Sequence, residues 1–105
     1  MQPSLFPAPA PQTFTVSKLT FFIRKLLEEN ETLQDVWVQG EISNLSRPAS
    51  GHIYFTLKDA NASLKSVMWK LSAQRLNLSL RDGMAVEVHG KIGVYEPQEI
   101  GRAHV

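Results

Sequence analysis

The first ordered part of the chain shows the hydrophobic spacing of an amphipathic helix. From Phe14, apolar residues recur every three or four positions, and Thr15 or Ser17 can serve as the N-cap. The helix is predicted to end near Glu29–Asn30, where this period stops and asparagine tolerates a left-handed cap. The apolar stripe consists of Val16, Leu19, Phe22, Ile23, Leu26 and Leu27. We expect it to face the protein's own core; a partner-binding face is the less common alternative.

After Thr32 the apolar residues alternate with polar ones, which is typical of half-buried β-strands. Strands are predicted over 36–43, 52–58, 63–70 and 84–95, separated by a loop at 44–51, turns at 59–62 and 81–83, and a short helix or turn within 71–80. Glycines at positions 90 and 93 inside the last strand predict a strong bend.

The alternation also assigns the faces of the strands. The core is predicted to receive Val36, Val38, Gly40 and Ile42 from the first strand, Ile53, Phe55 and Leu57 from the second, and Leu64, Ser66 and Met68 from the third. The third strand is ambiguous, because Val67 and Trp69 fit the buried set equally well.

This order of elements predicts a mainly β fold. A helix, three strands, a helical crossover and a fourth strand match an OB-fold-like five-stranded Greek-key barrel with an N-terminal α-helix, its last strand missing. The incomplete domain is expected over 14–98. It follows a disordered arm, 1–13, that holds four of the six prolines. Residues 99–105 are expected to be a non-native tail, since they read like a translated sequencing adapter.

Composition excludes several classes of protein. The 105 residues are enough for one domain, and the absence of cysteine rules out disulfides, thiolate metal sites and cysteine nucleophiles. Apolar runs are far shorter than the ~20 residues of a membrane helix, and no signal peptide is recognisable, so a cytoplasmic protein is expected. The three histidines are scattered, and Ser43, Ser46 and Ser50 have no convincing base partner. We therefore expect no catalytic residue, metal or cofactor in this chain.

The net charge of +1 conceals a segregated distribution. Residues 28–41 contain five acids and no lysine or arginine, whereas residues 45–75 contain five bases and one acid. A basic region that includes aromatic residues is expected where a protein contacts phosphates. Chance clustering on a small surface explains the charge pattern equally well.

Four sequence blocks resemble the start of the exodeoxyribonuclease VII large subunit. They are FTVSKL at 14–19, VWVQGEISN at 36–44, PASGHIYFTLKD at 48–59 and VYEP at 94–97, and the resemblance extends from about Phe14 to Gln98. The third block is the most specific of them. Lys18 departs from the family, which often has an acidic residue at this point of the helix start.

The resemblance implies an OB domain that engages single-stranded DNA. Family members continue into a catalytic domain and a helical region carrying small subunits, and the complete enzyme hydrolyses single-stranded DNA to oligonucleotides from either end. A chain without those regions is expected to be inactive alone. The alternative is a stand-alone OB-fold module that makes protein–protein contacts and has no nuclease role.

The predicted binding residues combine aromatic side chains, which stack on nucleobases, with basic side chains, which neutralise phosphates. They lie on the exposed face of the hairpin formed by the second and third strands and on the loop at its mouth. The set is Arg47, His52, Tyr54, Lys58, Lys65, Trp69 and Lys70, with Arg75 as a weaker candidate. Core packing is an equal alternative for Trp69.

Overall fold

A computed structural model describes residues 12–94 of the protein. Its elements are α1 (Val16–Glu28), β1 (Val36–Ser46), β2 (Ile53–Lys58), β3 (Ser63–Met68), α2 (Lys70–Arg75) and β4 (Ala85–Gly90). The predicted tail and nearly all of the predicted N-terminal arm lie outside the described residues. Residues 12 and 13, which end that arm, have no regular structure.

The four strands form one antiparallel sheet in the order β3-β2-β1-β4. The chain runs through β1, β2 and β3 in succession, and β4 then returns to pair with the free side of β1. This arrangement is the strand order of a Greek key. The mainly β class with an N-terminal helix is therefore confirmed, and the described residues contain four of the five strands that an OB-fold has.

Strand β1 is shared between two pairings. Its first half pairs with β4, from Val36 opposite Gly90 to Glu41 opposite Ala85, and its second half pairs with β2. The register shifts between Ser43 and Ser46, where Asn44 has a φ of 52°. This bulge extends β1 three residues beyond its predicted end, because asparagine adopts the left-handed conformation at little cost.

The core lies on one face of the sheet. Its buried members are Ile42, Ile53, Phe55, Leu57 and Leu80, and Ala73 and Leu76 from the crossover pack against them. The inward positions predicted for β1 and β2 are therefore confirmed.

The pairing register of β3 with β2 shows which residues of β3 face the core, a question that the sequence left open. Met68 lies opposite Ile53 on the inner face, and Val67 lies opposite Tyr54 on the outer face. The assignment with Met68 inward is confirmed, and the reverse assignment is wrong. Leu64, which was predicted to enter the core, is 47% exposed, because the core cluster does not extend to the start of β3.

Two predicted strand ends need correction. Strand β3 ends at Met68, because the carbonyl of Trp69 already accepts the first hydrogen bond of α2, from the amide of Ala73 at 2.9 Å. Lys70 consequently belongs to a helix and not to the hairpin. Strand β4 ends at Gly90, because beyond it the Ile92 amide donates to the Leu33 carbonyl at 2.8 Å. Tyr95, its predicted last residue, lies outside the described part of the chain.

Helix α1 has the predicted bounds but not the predicted packing. Thr15 caps it by accepting a hydrogen bond from the Lys18 amide at 3.0 Å. None of its residues is buried, and Leu19, Ile23 and Leu26 are all exposed. The expectation that the stripe faces the core is wrong, because the crossover residues near Leu80 occupy the inner face of the sheet instead.

Candidate nucleic-acid interface

The outer face of the β2–β3 hairpin carries most of the predicted binding residues. Residues that face each other across an antiparallel pair project from the same side of the sheet. Tyr54 lies opposite Val67, and Thr56 lies opposite Lys65. Lys58 occupies the same face one step further along β2, opposite Ser63. Tyr54, Lys58 and Lys65 therefore share one surface, away from the core.

An aromatic corner, composed of His52, Tyr54 and Trp69, closes one end of this surface. The ring of His52 meets Trp69 edge to face, with centroids 5.2 Å apart and planes at 89°. It meets Tyr54 in the same manner at 6.4 Å and 82°. Trp69 keeps 48% of its surface exposed, whereas Tyr54 is half-buried and its hydroxyl oxygen is buried. Trp69 is therefore the member of the corner that offers an open ring to a base.

His52 and Gly51 fix the position of this corner. The Nδ1 atom of His52 accepts a hydrogen bond from the backbone amide of Lys70 at 2.8 Å. This gives a partner to one of the first N–H groups of α2, which have no acceptor within the helix. Gly51 has a φ of 93°, and a β-carbon there would come within 3.1 Å of the Lys70 side chain. The aliphatic stem of Lys70 thus lies against the loop. Lys70 is exposed and borders the aromatic corner.

The basic residues differ in how freely they can meet a phosphate. Lys65 is exposed. Lys58 lies 3.7 Å from the Glu41 carboxylate, and both side chains are about half exposed, so this ion pair is weak and exchangeable. Arg47 donates from Nη2 to the carbonyl of Leu80 at 2.7 Å, which fastens the β1–β2 loop to the crossover. Arg75 is exposed in the last turn of α2.

The structure brings six of the seven predicted residues onto or beside the hairpin face. The aromatic corner and Lys70 occupy one end, and Lys58 and Lys65 lie further along the strands. Arg47 sits on the neighbouring loop with part of its guanidinium engaged by the backbone. Their role in binding stays a prediction.

An exposed aromatic pair on the other half of the sheet was not selected from the sequence. Trp37 of β1 and His89 of β4 face each other across the pairing and stack with centroids 4.4 Å apart and planes at 4°. Trp37 is 68% exposed, and His89 also pairs with Asp35. The alternation in β1 already pointed Trp37 outward, and this was the available signal. The β1–β4 register that adds His89 cannot be read from the sequence.

The outer face is electrostatically divided. Neither β2 nor β3 contains an acidic residue, and together they carry Lys58 and Lys65. Neither β1 nor β4 contains a lysine or arginine, and their outward positions include Glu41 and Glu87. A polyanion is therefore attracted to the hairpin half and repelled from the β1–β4 half.

Two further observations concern residues 12–94. No three histidine, aspartate or glutamate side chains in this range are grouped so that they could hold a metal ion. Neither of its helices has the length and apolar character needed to cross a bilayer.

Comparisons with known proteins agree with this geometry. A family model described as OB-fold nucleic acid binding domain matches residues 14–101. The chain is 54% identical over 88 residues to the exodeoxyribonuclease 7 large subunit of Geobacter metallireducens, an alignment that covers 84% of this chain and 19% of that protein. It is 51% identical over 85 residues to the protein of the same name from Pseudomonas aeruginosa, covering 81% and 18%. The chain thus spans about a fifth of the length of these curated relatives.

Proposed function

Because the chain belongs to the family of OB-fold nucleic acid binding domains, we propose that it binds single-stranded DNA through the outer face of the β2–β3 hairpin. One observation carries the proposal. This face combines an exposed indole, Trp69, with Lys58 and Lys65 on two strands that contain no carboxylate. Bases stack on such rings whatever their identity, and lysines beside them neutralise the phosphates.

The arrangement suits a strand of DNA that runs along the hairpin. Trp69 and Lys65 are four residues apart, which corresponds to about 13 Å of extended backbone. A base on Trp69 therefore leaves the following phosphates within reach of Lys65 and Lys58. Lys70 borders the same corner and can meet phosphates on its other side. Contacts of this kind read no bases by hydrogen bonding, so little sequence preference is expected.

The wider setting of this activity is also a proposal. The chain is homologous to part of proteins named exodeoxyribonuclease 7 large subunit. We place it as the DNA-binding domain of such a subunit in the cytoplasm. Hydrolysis of single-stranded DNA and contact with small subunits are assigned to the remainder of that protein.

Replacing Trp69 by alanine is expected to weaken binding of a fluorescein-labelled oligothymidylate at least about fivefold. Loss of one stacked base costs about 1–3 kcal/mol, and 1.4 kcal/mol corresponds to a factor of ten. Fluorescence anisotropy measures the affinity. Trp37→Ala is the matched control, because it removes an indole that is even more exposed from the acidic half of the same sheet, and it should change the affinity less than twofold.

Two results would count against the proposal. If Trp69→Ala folds and binds as tightly as the original chain, the hairpin face is not the binding surface. If the original chain neither changes the anisotropy of the labelled oligothymidylate nor binds it in a salt-dependent way, the DNA-binding function is abandoned. The alternative, an OB-fold module that makes protein–protein contacts, then replaces it.

A further inference from the structure

The outer face of the β1–β4 pairing presents a second surface with its own chemistry. We call it the acidic indole surface, and it consists of Asp35, Trp37, Gln39, Glu87 and His89. Trp37 lies opposite His89, and Gln39 lies opposite Glu87, so four of the five share one side of two adjacent strands. Asp35 joins them through its contact with His89. With Trp37 68% exposed, this is an open sheet face that the DNA-binding proposal does not use.

The ring of Trp37 is held in place and keeps one face open. His89 lies parallel to it at a centroid distance of 4.4 Å and covers its other face. Asp35 holds the imidazole by a contact to Nε2, which fixes the orientation of His89 beneath the indole. An exposed tryptophan supported in this way loses little further rotamer freedom when a ligand stacks on it.

The charges around this ring select the ligand. Strands β1 and β4 contain no lysine or arginine, and Asp35 and Glu87 supply carboxylates at this surface. Glu87 projects beside His89 on the same face. Lys91 lies beyond the end of β4. A phosphate would be repelled here, whereas a cation is attracted by the carboxylates and by the indole face together.

We propose that the acidic indole surface binds an arginine side chain presented by a basic peptide segment of another protein. The planar guanidinium stacks on the open face of Trp37, and the nearby carboxylate of Glu87 attracts its positive charge. Arginine suits this site better than lysine, because its planar group stacks on an aromatic ring. The surface is separate from the hairpin face, so both can be occupied at once.

The test is a titration of the 15N-labelled chain with acetyl-Gly-Arg-Gly-Arg-Gly-amide, followed by NMR. Comparison with Trp37→Ala or Trp69→Ala assigns the two indole N–H signals, and either variant alone suffices. Saturable shifts are expected at the Trp37 indole and at the amides of Gln39 and Glu87, with the Trp69 indole unmoved. The matched peptide with citrulline in place of arginine should give no saturable shift, because citrulline keeps the shape and loses the charge.

Substitution of Glu87 tests the carboxylate. Glu87→Gln should lower the affinity for the arginine peptide about threefold, the size of effect expected for one exposed ion pair. Glu28→Gln makes the same charge change on α1 and should leave the affinity unchanged. The proposal is overturned if the citrulline peptide binds as well, if both glutamate variants act alike, or if oligothymidylate moves the Trp37 indole as strongly as that of Trp69. The last result would assign this face to DNA, while failure of DNA binding at Trp69 would leave the arginine site standing.

Discussion

Replacing Gly40 by valine is expected to lower the free energy of unfolding by about 3 kcal/mol, at the upper end of the usual cost of overpacking. A β-carbon at Gly40 would lie 2.9 Å from Cγ of Leu57 and 2.9 Å from the carbonyl oxygen of Lys58. The second of these neighbours is backbone and cannot turn away. Gly40 precedes Glu41, where β1 is paired with β4 and β2 at once, so the added side chain would force the two central strands apart.

Gly90→Val provides the control for this change. A β-carbon at Gly90 meets nothing within 4 Å, and valine is well suited to an extended strand. Urea denaturation followed by tryptophan fluorescence compares the two variants, and the control should stay within about 0.5 kcal/mol of the original chain. Equal losses in both variants would mean that β1 does not approach β2 as closely as the structure has it.

Replacing Phe55 by alanine is expected to cost about 3–5 kcal/mol. Phe55 is 5% exposed and lies on the inner face of β2 between Ile53 and Leu57, in the cluster that also holds Ile42 and Leu80. Removing its ring takes away buried apolar surface and leaves a cavity that the surrounding strands cannot close. A domain of this size has about 5–15 kcal/mol of stability, so the loss is a large part of the total.

Replacing Phe21 by alanine distinguishes the effect of burial from the effect of losing a phenylalanine side chain. Phe21 is 58% exposed on α1, and alanine is the better helix former, so Phe21→Ala should change the free energy of unfolding by less than about 0.5 kcal/mol. Urea titrations of both variants give the comparison. If Phe55→Ala were as mild as Phe21→Ala, the core would lie elsewhere in the molecule.

The parts of the fold that were predicted correctly depend on local periodicity. Alternation placed Ile42 and Phe55 on the buried face, because successive side chains of a strand point to opposite sides whatever the strand pairs with. The turn at Asp59 was predictable for a similar reason. Its carboxylate accepts hydrogen bonds from the amides of Asn61 and Ala62, a bond that asparagine and aspartate make with their own backbone.

The parts that failed depend on pairing or packing at a distance. An amphipathic pattern shows that α1 has an apolar face but not what lies against that face. The extension of β1 through Asn44 depends on a bulge against β2, which no periodicity reveals. The stacking of Trp37 on His89 needs the register between β1 and β4, two strands that are far apart in sequence.

Some candidate binding residues could likewise be placed from local periodicity, whereas others depend on contacts at a distance. Tyr54 and Lys58 follow from the alternation of β2, and their shared outer face was predicted. Trp69 and Lys70 were assigned to the wrong element, although both still border the face, because α2 begins where β3 ends. The hydrogen bond from Arg47 to the Leu80 carbonyl joins a loop to the crossover and could not be anticipated.

The measurement that tests the central claim most directly is a titration of the 15N-labelled chain with unlabelled oligothymidylate, followed at every backbone amide at low and high salt. The account predicts that the largest shifts fall on residues 54–58 and 65–70, and that binding weakens as salt is raised because phosphate contacts release counterions. Shifts concentrated on α1 or on the β1–β4 half of the sheet, or no shifts at low salt, would contradict a DNA-binding hairpin face.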